Sequence, residues 1–72
     1  MDKFLNQIAD ILEEDQVSMN DILINFDAWD SLTQLSIIAL ADEEYGVTIS
    51  AREIREAQTV EGIIKLIENK RA

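Results

Sequence analysis

The sequence predicts an all-α fold: a small four-helix bundle with three long helices, one short third helix and a long first loop. Three observations predict it. Apolar residues recur at intervals of three and four in three separate stretches, the spacing that lines one face of a helix. Residues suited to helix caps stand ahead of these stretches, and a glycine follows the second. Only one short β-type run occurs, Val47-Thr48-Ile49, and no second alternating run exists to pair with it. A lone strand leaves its backbone groups unsatisfied, so this run is read as a loop with Ile49 plugged into the core.

The first helix is expected over residues 3–14, with Phe4, Leu5, Ile8, Ile11 and Leu12 on one face and Asp2 placed to cap the first free amides. The second opens near Asp30 or Ser31 and carries Leu32, Leu35, Ile38, Ala39 and Tyr45. It stops at Gly46, a residue suited to the left-handed position just past a helix. Ser50 and Glu53 form a capping box that opens a short helix running through Ile54. From Thr59 onward Val60, Ile63, Ile64 and Ile67 form the last stripe, and Lys65, Lys70 and Arg71 collect toward its end, where the helix dipole favours cations. Residues 15–30 form a long connection studded with Val17, Met19, Leu23, Phe26 and Trp29. A helical turn over residues 18–22 is expected within it, because loops of this length are rare unless packed or functional. Trp29 is read as a core or anchor residue rather than a partner contact.

Composition narrows the function. The chain has 72 residues, of which 47% are hydrophobic, enough for one small core, and is read as a single domain over residues 1–72. It has no cysteine and no histidine, which removes disulfides, thiolate nucleophiles, the usual general base and the commonest metal ligands. No enzyme is expected and no metal site. A calcium loop is excluded because the acidic residues around Asp27 and Asp30 lack the glycine and closing glutamate of such a loop. Fifteen acidic residues against six basic ones give a net charge of −9, which disfavours nucleic acid and anionic membranes and favours basic partners. No stretch is long and apolar enough to span a membrane, and the expected setting is cytoplasmic, as a monomer.

Ser31 has two readings. Followed three residues later by Gln34 it satisfies the capping-box pattern; alternatively Asp30 is the cap and Ser31 projects outward. The order of elements, with Asp30-Ser31-Leu32 opening the second helix, LADEEYGVTIS at residues 40–50 and TVEGIIKLI at 59–67, resembles the acyl carrier protein family over nearly the whole chain. That resemblance implies a free-standing carrier whose 4'-phosphopantetheine, taken from coenzyme A by a phosphopantetheinyl transferase, is joined to the Ser31 hydroxyl. It makes Asp30 and Leu32 the flanking residues, Asp30 also serving as a metal-facing acid in the transferase complex. Acyl intermediates then ride on the arm as thioesters, in fatty acid, polyketide or another specialised biosynthesis.

The resemblance also implies that Leu35, Asp42, Glu43, Glu44 and Ile54 meet basic-surfaced acyl-loading, acyl-modifying and acyl-transfer enzymes. The bland reading of the three acids is a solvated helix face at the dipole's unfavourable end. Departures are visible: carriers of fatty acid synthesis usually place acids where this sequence has Thr33 and Ser36, a glycine where it has Ala28, and fewer cations than Arg52 and Arg55 in the third helix. Absence of a Gly-Gly pair before the serine argues against the peptidyl carriers. The competing function is a small acidic helical interaction module with no prosthetic group, in which Ser31 is merely a cap.

Overall fold

A computed structural model describes residues 2–71. It has four α-helices, α1 (Asp2–Ile11), α2 (Ser31–Tyr45), α3 (Ala51–Glu56) and α4 (Val60–Arg71), and one turn of 3-10 helix at Leu23–Asn25. The expected capping side chain of Asp2 lies outside what is described. One apolar cluster joins all the helices: Phe4, Ile8 and Leu12 from α1 and its end, Ile37 and Ala41 from α2, Ile54 from α3, and Val60, Ile63, Ile64 and Ile67 from α4. Val47 and Ile49 enter it from the loop after α2, at 5% and 2% exposure. The connection read as a plugged loop is therefore one.

α1 stops at Ile11 rather than at residue 14. The Glu14 amide donates to the Ala9 carbonyl (2.9 Å) and the Glu13 amide to Asp10 (3.2 Å), with Glu13 at φ 60°. This pair of bonds is the Schellman ending, in which the residue past the cap turns left-handed. Glycine usually takes that place, and a glutamate there hides the stop from a reading of the sequence. Gly46 does the expected thing, with φ 66° and its amide donating to the Asp42 carbonyl at 2.8 Å.

The long loop departs from expectation more. No helix forms over residues 18–22; the Ser18 amide donates to the Asp21 carboxylate (2.8 Å) and the Asp21 amide to the Ser18 carbonyl (3.1 Å), giving a turn, and the 3-10 helix comes later. The reason lies in α4. Its first amides need acceptors, and the loop supplies them: the Val60 amide donates to the Asp21 carbonyl (3.1 Å) and the Glu61 amide to the Met19 carbonyl (3.0 Å). The Leu23 amide in turn donates to the Gln58 carbonyl (2.9 Å), beside an isolated antiparallel bridge between Ile22 and Thr59. Carbonyls spent on α4 are not available for a local helix.

The stripe assigned to α2 also needs correction. Leu32, Leu35 and Ala39 face outward, the first two at 73% and 57% exposure, while Ile37 and Ala41 are fully buried and Tyr45 is half-buried. Apolar residues surround this helix, so spacing alone offers two faces, and packing selects the one on which residues 37, 41 and 45 align at intervals of four. The Tyr45 ring meets Phe4 edge-on, centroids 5.4 Å apart, and takes the Arg71 guanidinium over its face at 5.1 Å.

α3 opens on the predicted capping box: the Glu53 amide donates to Ser50 Oγ (3.1 Å) and the Ser50 amide to Glu53 Oε1 (2.9 Å). Lys70 of α4 adds an ion pair to Glu53 at 3.0 Å. The Ser50 amide first, and then Lys70, hold the Glu53 carboxyl below its ordinary value of 4.5. A carboxylate whose native pKa is lowered stabilises the fold above the unfolded-state pKa, and that stability is lost as pH falls through the native one. Melting temperature is therefore expected to fall as pH drops below about 4.5, and to fall less in Glu53→Gln, whose amide retains the capping contact without the charge. Thermal melts of both proteins from pH 7 to 3 check this; parallel curves would remove Glu53 from the explanation.

Candidate functional site

The start of α2 is organised by Asp30, not by Ser31. Asp30 is extended (φ −151°, ψ −177°) and its Oδ1 accepts the Thr33 amide at 2.9 Å, while its own amide donates to Thr33 Oγ1 at 3.0 Å. The capping box is thus Asp30 with Thr33, and the alternative of Ser31 with Gln34 is not formed; the Gln34 amide makes the first intrahelical bond, to the Asp30 carbonyl at 3.0 Å. Thr33 does more than close the box. Its hydroxyl oxygen lies 3.0 Å from the Ala28 and Asp30 carbonyls, so its single proton ties the helix start to the preceding loop. Nothing in the sequence pattern singled out this role, because threonine at the third helical position is a weaker box partner than glutamate or glutamine.

Ser31 is the first residue of α2 and is exposed. Its hydroxyl has no partner among the described residues, and the amides of Ser31 and Leu32 are likewise unclaimed. Free amides at a helix start, with the positive end of the dipole, favour an anion. An anionic group esterified to Ser31 Oγ fits this environment, since the capping carboxylate is already bound to Thr33. The other three serines stand elsewhere: the Ser36 hydroxyl donates back to the Leu32 carbonyl (3.1 Å), Ser50 caps α3, and Ser18 sits in the loop turn.

Large apolar side chains are exposed on α2 and on the loop before it. Leu32 and Leu35 are exposed on α2, and Ile22 and Ile24 of the loop are 47% and 77% exposed. A groove of about 300 Å³ lined by Ile11, Glu13, Ala28, Asp30, Leu32, Thr33 and Ser36 runs next to the serine. The three acids at the end of α2, Asp42, Glu43 and Glu44, are all exposed, and Glu44 is engaged by Gln7 Nε2 (2.9 Å) and by Lys3 (3.4 Å). The Gln7 hydrogen bond first, then Lys3, lower its pKa. Ile54, expected to meet partners, is 0% exposed and belongs to the core in this conformation; its helical face was ambiguous in so short an element. Among the described residues no cluster of acids is arranged to hold a metal ion, and no helix is long and apolar enough to cross a membrane.

The division of labour makes a prediction about stability. Asp30→Ala is expected to cost about 1 kcal/mol, the usual loss on removing an N-cap, while Ser31→Ala costs only a few tenths because no contact disappears. Denaturant midpoints of the two variants check the ranking. Chemically, the arrangement presents the Ser31 hydroxyl: Asp30 Oδ1 is taken by the Thr33 amide, and the chain has no histidine to serve as the usual general base.

A family model described as a phosphopantetheine attachment site matches residues 2–67. No curated protein and no solved structure matches the chain. The matched span takes in all of α1, α2 and α3 and most of α4.

Proposed function

Because this chain belongs to the phosphopantetheine attachment site family of acyl carrier proteins, and its prosthetic group is 4'-phosphopantetheine, we propose that Ser31 is the residue that holds the arm. The observation that carries this reading is the division at the start of α2: Asp30 takes the capping role and leaves the Ser31 hydroxyl exposed and uncommitted. In the loading reaction Ser31 Oγ attacks the pantetheine-side phosphorus of the coenzyme A pyrophosphate, its proton passing to a base on the transferase, while the P–O–P bond breaks and adenosine 3',5'-bisphosphate leaves. The amides of Ser31 and Leu32 face the resulting negative charge. When bound, the arm supplies a terminal thiol for acyl thioesters, which a chain without cysteine otherwise lacks. Carrier domains of this family are not themselves catalytic.

Residues 1–72 act as one carrier domain in this reading. Exposed Leu32 and Leu35 with Asp42 and Glu43 offer an apolar stripe and acidic groups to basic-surfaced partner enzymes, and Glu44 contributes less because Lys3 and Gln7 already occupy it. Thr33 and Ser36, turned toward backbone carbonyls, leave the stretch after Ser31 without the acids usual in fatty acid carriers. That surface favours a specialised pathway of modified-sugar, polyketide or secondary lipid type over housekeeping fatty acid synthesis. Incubation with coenzyme A and a promiscuous phosphopantetheinyl transferase, followed by intact mass, is the test. A carrier gains one arm, and an acidic interaction module gains none.

A further inference from the structure

A second groove, of about 360 Å³, opens beside the same helix start. Its walls are Ile22, Leu23, Ile24 and Trp29, and Arg55 and Gln58 supply its charged and amide side chains. Two features make it more than a gap between side chains. The first is bracing: the Leu23 amide is bonded to the Gln58 carbonyl, and Gln58 is held at φ 69°, a left-handed conformation costly for a residue with a side chain. Such strain persists only where the surroundings fix it.

The second feature is charge. Among the other cations of α3 and α4, Arg52 pairs with Glu56 (3.4 Å), Lys70 with Glu53 (3.0 Å), and Arg71 lies over Tyr45, while Lys65 is unpaired among the described residues but shares its groove with Glu53 and Glu56. Lys3 of α1 pairs with Glu44. Arg55 is exposed, faces this groove, and has no ion pair or hydrogen bond among the described residues. An uncommitted guanidinium against apolar walls, on a chain of net charge −9, is the place where a small anion with an aliphatic stem gains both burial and a counter-charge. At Lys65 the neighbouring Glu53 and Glu56 carboxylates oppose such an anion, and no acid lines the Arg55 groove.

The occupant is set by proximity. Trp29 and Ser31 are two residues apart, at most about 7 Å along the backbone, so an arm rooted on Ser31 reaches the groove by folding back. We propose that the groove takes a short acyl group carried on the arm and ending in a carboxylate, with Arg55 pairing to that carboxylate and Trp29 covering the methylenes. This rests on Ser31 as the attachment residue and adds the cargo's chemical class.

The test uses two loaded forms, made with succinyl- and butyryl-coenzyme A and a promiscuous transferase, with intact mass verifying one acyl arm on each sample. Trp29 is the sole tryptophan and lines the groove, so one indole N–H resonance, free of overlap with any other, reports on that wall. Succinyl loading is expected to shift that resonance relative to the unacylated holo form and butyryl loading to leave it in place. Arg55→Gln carrying the succinyl arm is expected to lose the shift. Equal shifts from both acyl groups, no shift from succinyl, or a shift that survives Arg55→Gln would each overturn the proposal. Absence of any mass gain would instead remove the attachment reading, and this inference with it.

Discussion

Gly62→Ala is expected to lower the unfolding midpoint by about 10 °C, corresponding to roughly 2 kcal/mol in a domain of this size. Alanine is the better helix former by about 1 kcal/mol, so propensity alone predicts the opposite sign. Geometry decides against it. A Cβ at Gly62 would collide with the Ala57 carbonyl oxygen and stand 2.9 Å from its carbon. Both are backbone atoms, and the turn they belong to is fixed on the other side by the Leu23–Gln58 and Ile22–Thr59 connections. Neither side can yield cheaply, and forced overpacking of this kind costs about 1–3 kcal/mol or more. The Gly62 amide also donates to Thr59 Oγ1 at 3.0 Å, the cap of α4, and displacement of the turn weakens that bond as well. Thermal melts of the two proteins check the prediction; an unchanged or raised midpoint would mean that α3 and α4 separate at little cost.

Much of this architecture was legible because its signals are local. The α2 stop at Gly46, the Ser50–Glu53 box and the α4 stripe are each written within a few residues, and each is where the sequence places it. What escaped depended on distant partners. The turn at Ser18–Asp21 exists because Met19 and Asp21 give their carbonyls to α4, some forty residues on. The α1 ending is concealed by glutamate at a left-handed position. The buried face of α2 was misassigned because a helix with apolar residues all round does not declare which side meets the core.

At the candidate site the serine was legible and its surroundings only in part. Both Asp30 and Ser31 are good cap residues, and their competition is resolved by Thr33, whose amide and hydroxyl engage Asp30 from both sides. Trp29, read as an anchor, is half-buried against the core and also walls the second groove. Arg55 stood out in the sequence only as a departure from the commoner acidic pattern; that it lacks an ion-pair partner follows from the placement of Glu53 and Glu56 on other cations.

Ser31→Ala is expected to abolish phosphopantetheine loading completely, the largest functional effect of any single change here. The chain has four serines: the Ser50 and Ser36 hydroxyls are committed, to the α3 cap and to the Leu32 carbonyl, and Ser18, bonded only through its backbone, lies in a loop turn away from any long helix start. Because Ser31 contributes no capping bond, the variant should remain folded, with a denaturant midpoint close to that of the parent. Loss of loading can then be ascribed to the missing hydroxyl rather than to unfolding. The decisive measurement is intact mass of the parent and of Ser18→Ala, Ser31→Ala, Ser36→Ala and Ser50→Ala after parallel incubation with coenzyme A and an active promiscuous transferase. The expected result is one added arm on every protein except Ser31→Ala; an arm on folded Ser31→Ala, or none on the parent, would contradict the assignment.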